Sequence, residues 1–179
     1  MQQSFQNSLE HLQIDYIDSY ILHGPSVGFG LTQDDWKVWQ EMEAIHKEGR
    51  TIYLGVSNIS LEQLKILFER AKVKPTFVQN RCFAQQVWDK DVREFCKEND
   101  IIYQGFSLLT ANPFVLPKVK QIADKVNKTP AQVLFRFSMY VGILPLTGTT
   151  SQIHMKEDLA LDFNLKDADI KFIENTAAN

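Results

Sequence analysis

The sequence alternates five short apolar runs with longer segments of helical periodicity, and this alternation limits the folds open to it. The apolar runs are residues 16–22, 51–56, 76–78, 101–106 and 143–146. Each run ends at polar or turn-forming residues, and each connection is long enough to hold a helix and cross back over a sheet. The pattern predicts parallel strands joined by right-handed strand–helix–strand units.

Helix start signals lie in the connections between the predicted strands. Thr32 precedes a helical pattern, Ser60 and Gln63 have capping-box spacing, and Pro130 follows Thr129 in the first helical position. We expect helices after Thr32, after Ser60, over 89–99, over 118–126, after Thr129, after the turn at 147–151 and over 167–175.

Two architectures fit this order of elements, a doubly wound sheet and a (β/α)8 barrel. The first strand ends at His23-Gly24-Pro25 rather than at a glycine-rich phosphate turn, and the chain contains no GxxxxGK motif. Polar residues follow the C-terminal ends of all five strands, where barrels build their sites. The sequence therefore predicts an α/β fold of about five parallel strands with flanking helices, a partial (β/α)8 TIM barrel that forms a single domain over residues 1–179.

Charge and composition exclude several classes of function. The 19 Lys and Arg residues and 22 Asp and Glu residues give a net charge of -3, and no basic run suits a nucleic-acid backbone. No apolar stretch reaches membrane-spanning length. Cys82 and Cys96 are expected to be buried free thiols in a reducing compartment, and the four histidines lack metal-ligand spacing. We expect a cytoplasmic protein with no metal and no nucleic-acid or membrane partner.

Several motifs, in order along nearly the whole chain, resemble the aldo-keto reductase family. They are SLEHLQIDYID followed by YILH (8–23), GR followed by LGVSN (49–58), VQN (78–80), YQGFSLL (103–109), and TPAQV through PLTGTT (129–150). The resemblance corresponds to the family's fourth barrel strand onward. Each motif alone is weak evidence, and their order makes the match specific.

The resemblance implies NADP(H)-dependent reduction of a small aldehyde or ketone to an alcohol. In the family a hydride passes from the nicotinamide, a tyrosine tuned by a lysine and an aspartate donates the proton, and a histidine orients the carbonyl. The histidine maps to His23, whereas Asp15 and Asp18 belong to the strand signature. The tyrosine, lysine and aspartate lie upstream of Met1 in the family pattern, so the chain is expected to be inactive alone.

The resemblance also implies cofactor contacts at the ends of three strands. Ser57, Asn58 and Gln79 match the residues that hold the nicotinamide carboxamide, whose donors and acceptor suit hydroxyl and amide side chains. Phe106 stands where the family has a tyrosine that stacks on the nicotinamide, and phenylalanine keeps the stacking face. Ser107 and Leu109 complete that motif.

The turn after the last strand is expected to hold a phosphate of the cofactor. Its hydroxyls, its backbone N–H groups and the following helix N-terminus suit an anion. The residues assigned to the cofactor here are Thr147, Gly148, Thr149, Thr150, His154 and Asp158. His154 replaces an arginine that the family directs at the adenosine 2′-phosphate, Gly148 or its neighbour replaces a lysine, and Lys156 is expected to compensate in part.

Aromatic residues outside the motifs leave one alternative open. Trp36 and Trp39 have helical spacing and are expected to pack on the barrel wall, whereas Trp88 fits a core position and a position near the site equally well.

A five-strand part of a barrel leaves two sheet edges and an apolar interior exposed. Each exposed Å² of apolar surface costs about 25 cal/mol, so we expect the isolated chain to be marginally stable, to aggregate or to self-associate through its sheet edges. Two other functions remain open at this point, a non-catalytic nucleotide-binding or regulatory half-barrel module and a decayed gene product.

Overall fold

The computed structural model describes residues 1–176, and the last three residues of the predicted domain, 177–179, lie outside it. The elements in chain order are α1 (Gln2–Leu12), β1 (Ile17–Leu22), α2 (Gln33–Lys47), β2 (Thr51–Ser57), α3 (Leu61–Arg70), β3 (Phe77–Arg81), a 3₁₀ helix (Ala84–Asp89), α4 (Lys90–Glu98), β4 (Ile102–Phe106), α5 (Val115–Lys118), α6 (Lys120–Val126), α7 (Pro130–Tyr140), β5 (Leu144–Leu146), α8 (Gln152–Leu159) and α9 (Asp167–Glu174). The five strands form a parallel sheet in the order β1-β2-β3-β4-β5. The predicted strands and their direction are confirmed.

Capping boxes begin three of the helices. Thr32, Ser60 and Thr129 each accept a hydrogen bond from the backbone N–H three residues on, and the side chain of that third residue bonds back to the cap. These bonds satisfy donors that a helix N-terminus otherwise leaves unpaired. The helix starts predicted at these three positions are confirmed.

The helix α1 was not predicted, because its sequence is mostly polar and only two of its side chains are buried. Phe5 and Leu9 join Ile45 in a small apolar cluster. The ring of Phe5 meets that of Tyr20 edge to face, with 4.9 Å between the ring centroids. Tertiary burial of two side chains therefore stabilises a helix whose apolar stripe is too narrow to be evident in the sequence.

The described chain divides into two compact units. The first unit comprises Met1–Gln79 and Glu98–Ile102, and the second unit comprises the rest of the described residues. In the first unit α2 packs against β2. Trp39 of α2 and Leu54 and Val56 of β2 are buried, and Trp36 is half-buried. The burial of Trp39 agrees with the packing on the barrel wall that was expected for it.

The core of the second unit is built around aromatic side chains, among them Trp88 and Phe137. Their ring centroids lie 5.2 Å apart, and Trp88 Nε1 donates a hydrogen bond of 3.2 Å to the carbonyl oxygen of Ile173. Trp88 is fully buried. Of the two positions left open for it, the structure therefore shows the core position.

Trp88 reaches this core through an unusual stretch of backbone. Val87, Trp88 and Asp89 have φ of 51°, 57° and 56°, in the left-handed region that β-branched and bulky residues avoid. The stretch ends with the Asp89 carboxylate, which accepts hydrogen bonds of 2.8 Å from Asn80 Nδ2 and from the Tyr103 hydroxyl. These buried bonds offset part of the backbone strain.

Both cysteines lie in the second unit. Cys82 and Cys96 are free and buried, as predicted. Burial raises the pKa of each thiol to about 12, so neither is a reactive thiolate at neutral pH.

No helix within residues 1–176 is long and apolar enough to cross a membrane.

Candidate functional site

The first unit brings four of the predicted site residues together at the C-terminal ends of its strands. Ser57 is buried and its hydroxyl donates a 2.6 Å hydrogen bond to the carbonyl oxygen of Gln79. Asn58 Nδ2 donates to the carbonyl oxygen of His23 at 2.7 Å and to Ser57 Oγ at 3.1 Å. The side chains of Ser57 and Asn58, at the end of β2, therefore bond to the backbone at the ends of β1 and β3. His23 is exposed and Gln79 is half-buried.

Backbone geometry holds this group in place. Asn58 has φ of 51°, a left-handed conformation that asparagine tolerates better than most residues, and its N–H donates to the Gln79 carbonyl oxygen at 3.1 Å. A Cβ on Gly24 would lie 3.2 Å from the Ser57 carbonyl oxygen and 3.3 Å from Asn58 Cβ. The glycine after His23 thus permits the close approach of the two turns.

These contacts decide which groups remain for a ligand. Both amide hydrogens of Asn58 and the hydroxyl hydrogen of Ser57 are engaged within the chain. Asn58 therefore presents its carboxamide oxygen, an acceptor that suits the NH₂ of a nicotinamide carboxamide. Asn58 thus fits the predicted cofactor role as a hydrogen-bond acceptor, and the ligand would supply the donor.

Asp35 secures the loop that follows His23. Its carboxylate accepts hydrogen bonds of 2.8 Å from the backbone N–H groups of Ser26 and Thr32, and further bonds from both hydroxyls. Burial opposes ionisation of Asp35, but these hydrogen bonds from Thr32 and Ser26 outweigh it and lower the pKa below the ordinary 3.8. Asp35, which completes the capping box of α2 with Thr32, therefore also anchors the loop beside the strand ends.

Gln63, in the capping box of α3, secures the same loop farther along. Its Nε2 donates hydrogen bonds of 2.9 Å to the carbonyl oxygens of Val27 and Gly30. The loop is thus held by the first turns of two helices. The capping-box spacing was visible in the sequence, but its second use as a loop anchor was not.

Arg81 is a residue of the second unit that the sequence pattern did not single out. It is the last residue of β3, and its guanidinium carbon lies 5.5 Å from the centroid of the Phe106 ring. The Cys82 N–H donates to the Phe106 carbonyl oxygen at 3.1 Å, which brings these strand ends together. Arg81 is exposed and has no ion-pair partner within residues 1–176. Phe106 therefore presents its ring beside an unpaired cation.

The residues next to Phe106 differ in exposure and conformation. Ser107 is half-buried and has φ of 58°, a strained conformation for a serine at a strand end. Leu109 is also half-buried, and it lines a cavity of about 540 Å³ within the second unit.

This cavity gathers six of the predicted cofactor residues, which are Leu109, Thr147, Gly148, Thr149, His154 and Asp158. Leu116, Pro130 and Ala131 add apolar wall, and Glu157 adds a second carboxylate. The volume lies in the range of ligand pockets, about 300–1,000 Å³. Glu157 and the apolar wall residues were not assigned to the site from sequence, since they belong to helices or turns whose facing sides only the fold shows.

The turn after β5 offers fewer phosphate donors than its sequence suggested. The Ser151 N–H donates to Thr149 Oγ1 at 3.1 Å, and the His154 N–H donates to Ser151 Oγ at 3.4 Å. The Thr147 hydroxyl lies 3.4 Å from Asp158 Oδ2, to which it donates. Thr150 is exposed and is not among the residues that line the cavity.

Over residues 1–176, no three His, Cys, Asp or Glu side chains come together in a way that could hold a metal ion.

Comparison with known proteins places this fold among aldo-keto reductases. A model of the aldo/keto reductase family matches residues 1–115. An aldo/keto reductase from Brucella melitensis has a TM-score of 0.84 at 28% identity, covering 97% of this chain and 66% of that one. An aldo-keto reductase enzyme from a deep-sea metagenome library has a TM-score of 0.87 at 26% identity, covering 98% and 65%. These similarities confirm the predicted fold class, a five-stranded part of a (β/α)8 barrel.

Curated relatives match over most of the chain. Glyoxal reductase of Bacillus subtilis is 31% identical over 174 residues, which is 96% of this chain and 60% of the relative. The NADPH-dependent alpha-keto amide reductase of Saccharomyces cerevisiae is 30% identical over 161 residues, 78% of this chain and 48% of the relative. The chain thus spans well under two thirds of the length of these relatives.

Proposed function

The chain belongs to the aldo/keto reductase family, and from this premise we propose that it is the cofactor-binding part of an oxidoreductase that reduces an aldehyde or ketone to an alcohol. The observation that carries the proposal is the cavity of about 540 Å³ that gathers six of the residues assigned to the cofactor. The hydrogen-bonded strand ends of the first unit add a group suited to a carboxamide.

The proposed reaction transfers a hydride from a reduced nicotinamide to the carbonyl carbon while a proton adds to the carbonyl oxygen. A nicotinamide dinucleotide supplies this hydride, and NADP(H) is the form that the family resemblance implies. The names of two relatives, a glyoxal reductase and an NADPH-dependent alpha-keto amide reductase, agree with small carbonyl substrates.

The proposal gives this chain's residues separate roles. His23, exposed at the end of β1, would donate a hydrogen bond to a substrate carbonyl oxygen. Ser57, Asn58 and Gln79 would hold the nicotinamide carboxamide, and Phe106 would offer a ring face to a planar group. Ser107 and Thr150 stay in the proposed cofactor set as strand-end and turn residues outside the wall of the cavity.

We also propose that this chain, assayed alone, binds the cofactor and turns carbonyl substrates over only slowly. The resemblance assigns proton donation to a tyrosine, a lysine and an aspartate, and none of the residues assigned to the site here has that role. A non-catalytic nucleotide-binding module is the second candidate function. It is favoured by the fact that every residue lining the cavity belongs to the second unit.

One experiment separates these functions. The purified chain is titrated with NADPH and NADH while nicotinamide fluorescence is recorded, and oxidation of the same cofactors is followed with glyoxal and other small carbonyl compounds. Binding with slow turnover that His23→Ala abolishes supports the reductase. Binding with no turnover under any condition supports the binding module, and no binding at millimolar cofactor contradicts both.

A further inference from the structure

We propose that the cavity in the second unit selects an adenine ribonucleotide that lacks a 2′-phosphate, so that the chain prefers NAD(H) to NADP(H). The inference rests on the proposed function, because it concerns the cofactor of the same site. It differs from the NADP(H) that the family resemblance implies, and the disagreement arises from the charges that line the cavity.

The shape and apolar lining of the cavity suit a nucleoside. Its volume of about 540 Å³ accommodates a group of that size, and Leu109, Leu116, Pro130 and Ala131 supply apolar wall for a flat ring. Thr147 and Thr149 come from the turn at the C-terminal end of β5. In parallel α/β folds ligands bind at this end of the strands.

The charged lining of the cavity is acidic. Glu157 and Asp158 line it, and among residues 1–176 its only basic lining residue is His154, with neither lysine nor arginine in the wall. Asp158 accepts a hydrogen bond from the Thr147 hydroxyl at 3.4 Å, which orients that carboxylate, and the Glu157 side chain has no hydrogen-bond partner within residues 1–176. A phosphate dianion on the ribose would thus meet two carboxylates.

The nearby lysines do not reverse this balance. On α8, residues 154, 157 and 158 are three and four positions apart and share one face, whereas Lys156 is two positions from His154, is exposed and does not line the cavity. Lys128 directs its Nζ to the carbonyl oxygen of Ala160 at 3.2 Å and lies 4.0 Å from Asp162. The compensation that the sequence suggested for Lys156 therefore finds no support in the geometry.

Carboxylates and ribose hydroxyls form the complementary pair. A ribose O–H donates to a carboxylate, and in dinucleotide sites an acidic residue accepts from the 2′-hydroxyl where NAD binds, while an arginine accommodates the 2′-phosphate of NADP. Glu157 and Asp158 supply carboxylates for the first arrangement, whereas no arginine among residues 1–176 lines the cavity to provide the second.

The test compares two adenine nucleotides with the same number of phosphates, ADP and adenosine 2′,5′-bisphosphate, by isothermal titration of the full chain. We expect ADP to bind about tenfold more tightly, the combined effect of two unfavourable charge contacts in a partly exposed site. His154→Arg adds a cation and Asp158→Asn removes a charge without changing shape. Each variant should move the ratio of the two dissociation constants about threefold toward the bisphosphate.

Asp162→Asn is the matched control, because this aspartate lies in the same unit with its side chain 93% exposed and outside the cavity. It removes the same charge and should leave the ratio unchanged. Circular dichroism of each variant checks that it folds. If His154→Arg does not fold, the near-isosteric Asp158→Asn is sufficient for the test.

Three results would overturn the inference: tighter binding of the bisphosphate by the unaltered chain, no binding of either nucleotide at millimolar concentration, or an Asp162→Asn effect as large as that of Asp158→Asn. The proposed function fails separately. An ADP preference with binding of NADH but no turnover would reject the reductase and keep the nucleotide selectivity. Binding of both dinucleotides with NADPH favoured would reject the nucleotide selectivity and keep the proposed reductase.

Discussion

At the scale of single residues, polar side chains at the strand ends have a structural role beside the cofactor role that we propose for them. Ser57 and Asn58 were assigned to a cofactor from their place in a motif, and the structure shows that they also connect the ends of three strands. Arg81 and Asp35 were not assigned any role. Arg81 contacts Phe106, which is far away in sequence, and Asp35 belongs to a capping box but also binds the loop before it. No local sequence pattern reveals either contact.

Asp35→Asn is expected to destabilise the first unit by about 1–2 kcal/mol at neutral pH, because it replaces a charged cap that accepts four hydrogen bonds. The pKa of Asp35 is lower in the folded chain than its ordinary 3.8. Its ionised form therefore stabilises the fold fully above that value, and the stabilisation is lost as pH falls through the lower folded pKa.

Urea unfolding of both proteins at pH 7 and near pH 3 measures this effect. The difference in free energy of unfolding should shrink at the lower pH. An equal difference at both pH values would show that the charge of Asp35 is not what stabilises the loop.

The Arg81–Phe106 contact is expected to contribute about 0.5–1 kcal/mol, as for an exposed cation–π pair. A double-mutant cycle with Arg81→Ala and Phe106→Leu, followed by urea unfolding, measures the coupling energy. Lys128 and Phe163, also 5.5 Å apart, form a comparison pair. A coupling near zero for Arg81 and Phe106, with a measurable one for the comparison pair, would mean that the guanidinium does not rest on the ring in solution.

At the scale of elements, local sequence signals predicted where several helices begin. Tertiary packing explains the helix α1, which those signals did not predict. Thr32, Ser60 and Thr129 begin helices with capping boxes, because a capping box needs only residues three apart. The helix α1 depends instead on Phe5 and Leu9 meeting Ile45 across the first unit. A periodicity search cannot find a stripe of two residues.

Gly55→Ala tests the packing between β2 and β3. A Cβ at this position would lie 2.9 Å from the Phe77 carbonyl oxygen and 3.0 Å from Phe77 Cβ, so backbone would have to move. We expect a loss of about 1–3 kcal/mol in the free energy of unfolding.

Gly28→Ala is its control, because nothing lies within 4 Å of the Cβ that it would add. Urea denaturation should show an effect near zero for this variant. A similar cost for both substitutions would indicate that crowding against Phe77 is not the cause.

At the scale of the whole molecule, the sheet leaves apolar side chains in contact with solvent. Ile52, Tyr53 and Ile102 in the first unit are 45–46% exposed, and Leu144 in the second unit is 48% exposed. Within residues 1–176, β1 and β5 each pair with a single strand. Free strand edges and exposed apolar side chains both favour association with a second copy of the chain.

Sedimentation velocity over a range of concentrations tests this association. We expect a concentration-dependent size that Leu144→Lys, on the edge strand β5, reduces, because a charge on an edge opposes pairing. Leu159→Lys is the control, since Leu159 is 87% exposed but lies at the end of α8 rather than on a strand. A stable monomer at every concentration would contradict the expectation.

The sequence alone determined the order of the five strands, the three capped helix starts, the burial of the two thiols and the family. These properties depend on local spacing, on side-chain polarity, or on motifs that keep their order. Only the tertiary structure decided that Trp88 lies in a core and that both amide hydrogens of Asn58 are bonded within the chain. It also decided that, of residues 1–176, two carboxylates and no lysine or arginine line the cavity near Asp158. Each of these depends on which distant side chains share a space, and spacing along the chain does not specify that.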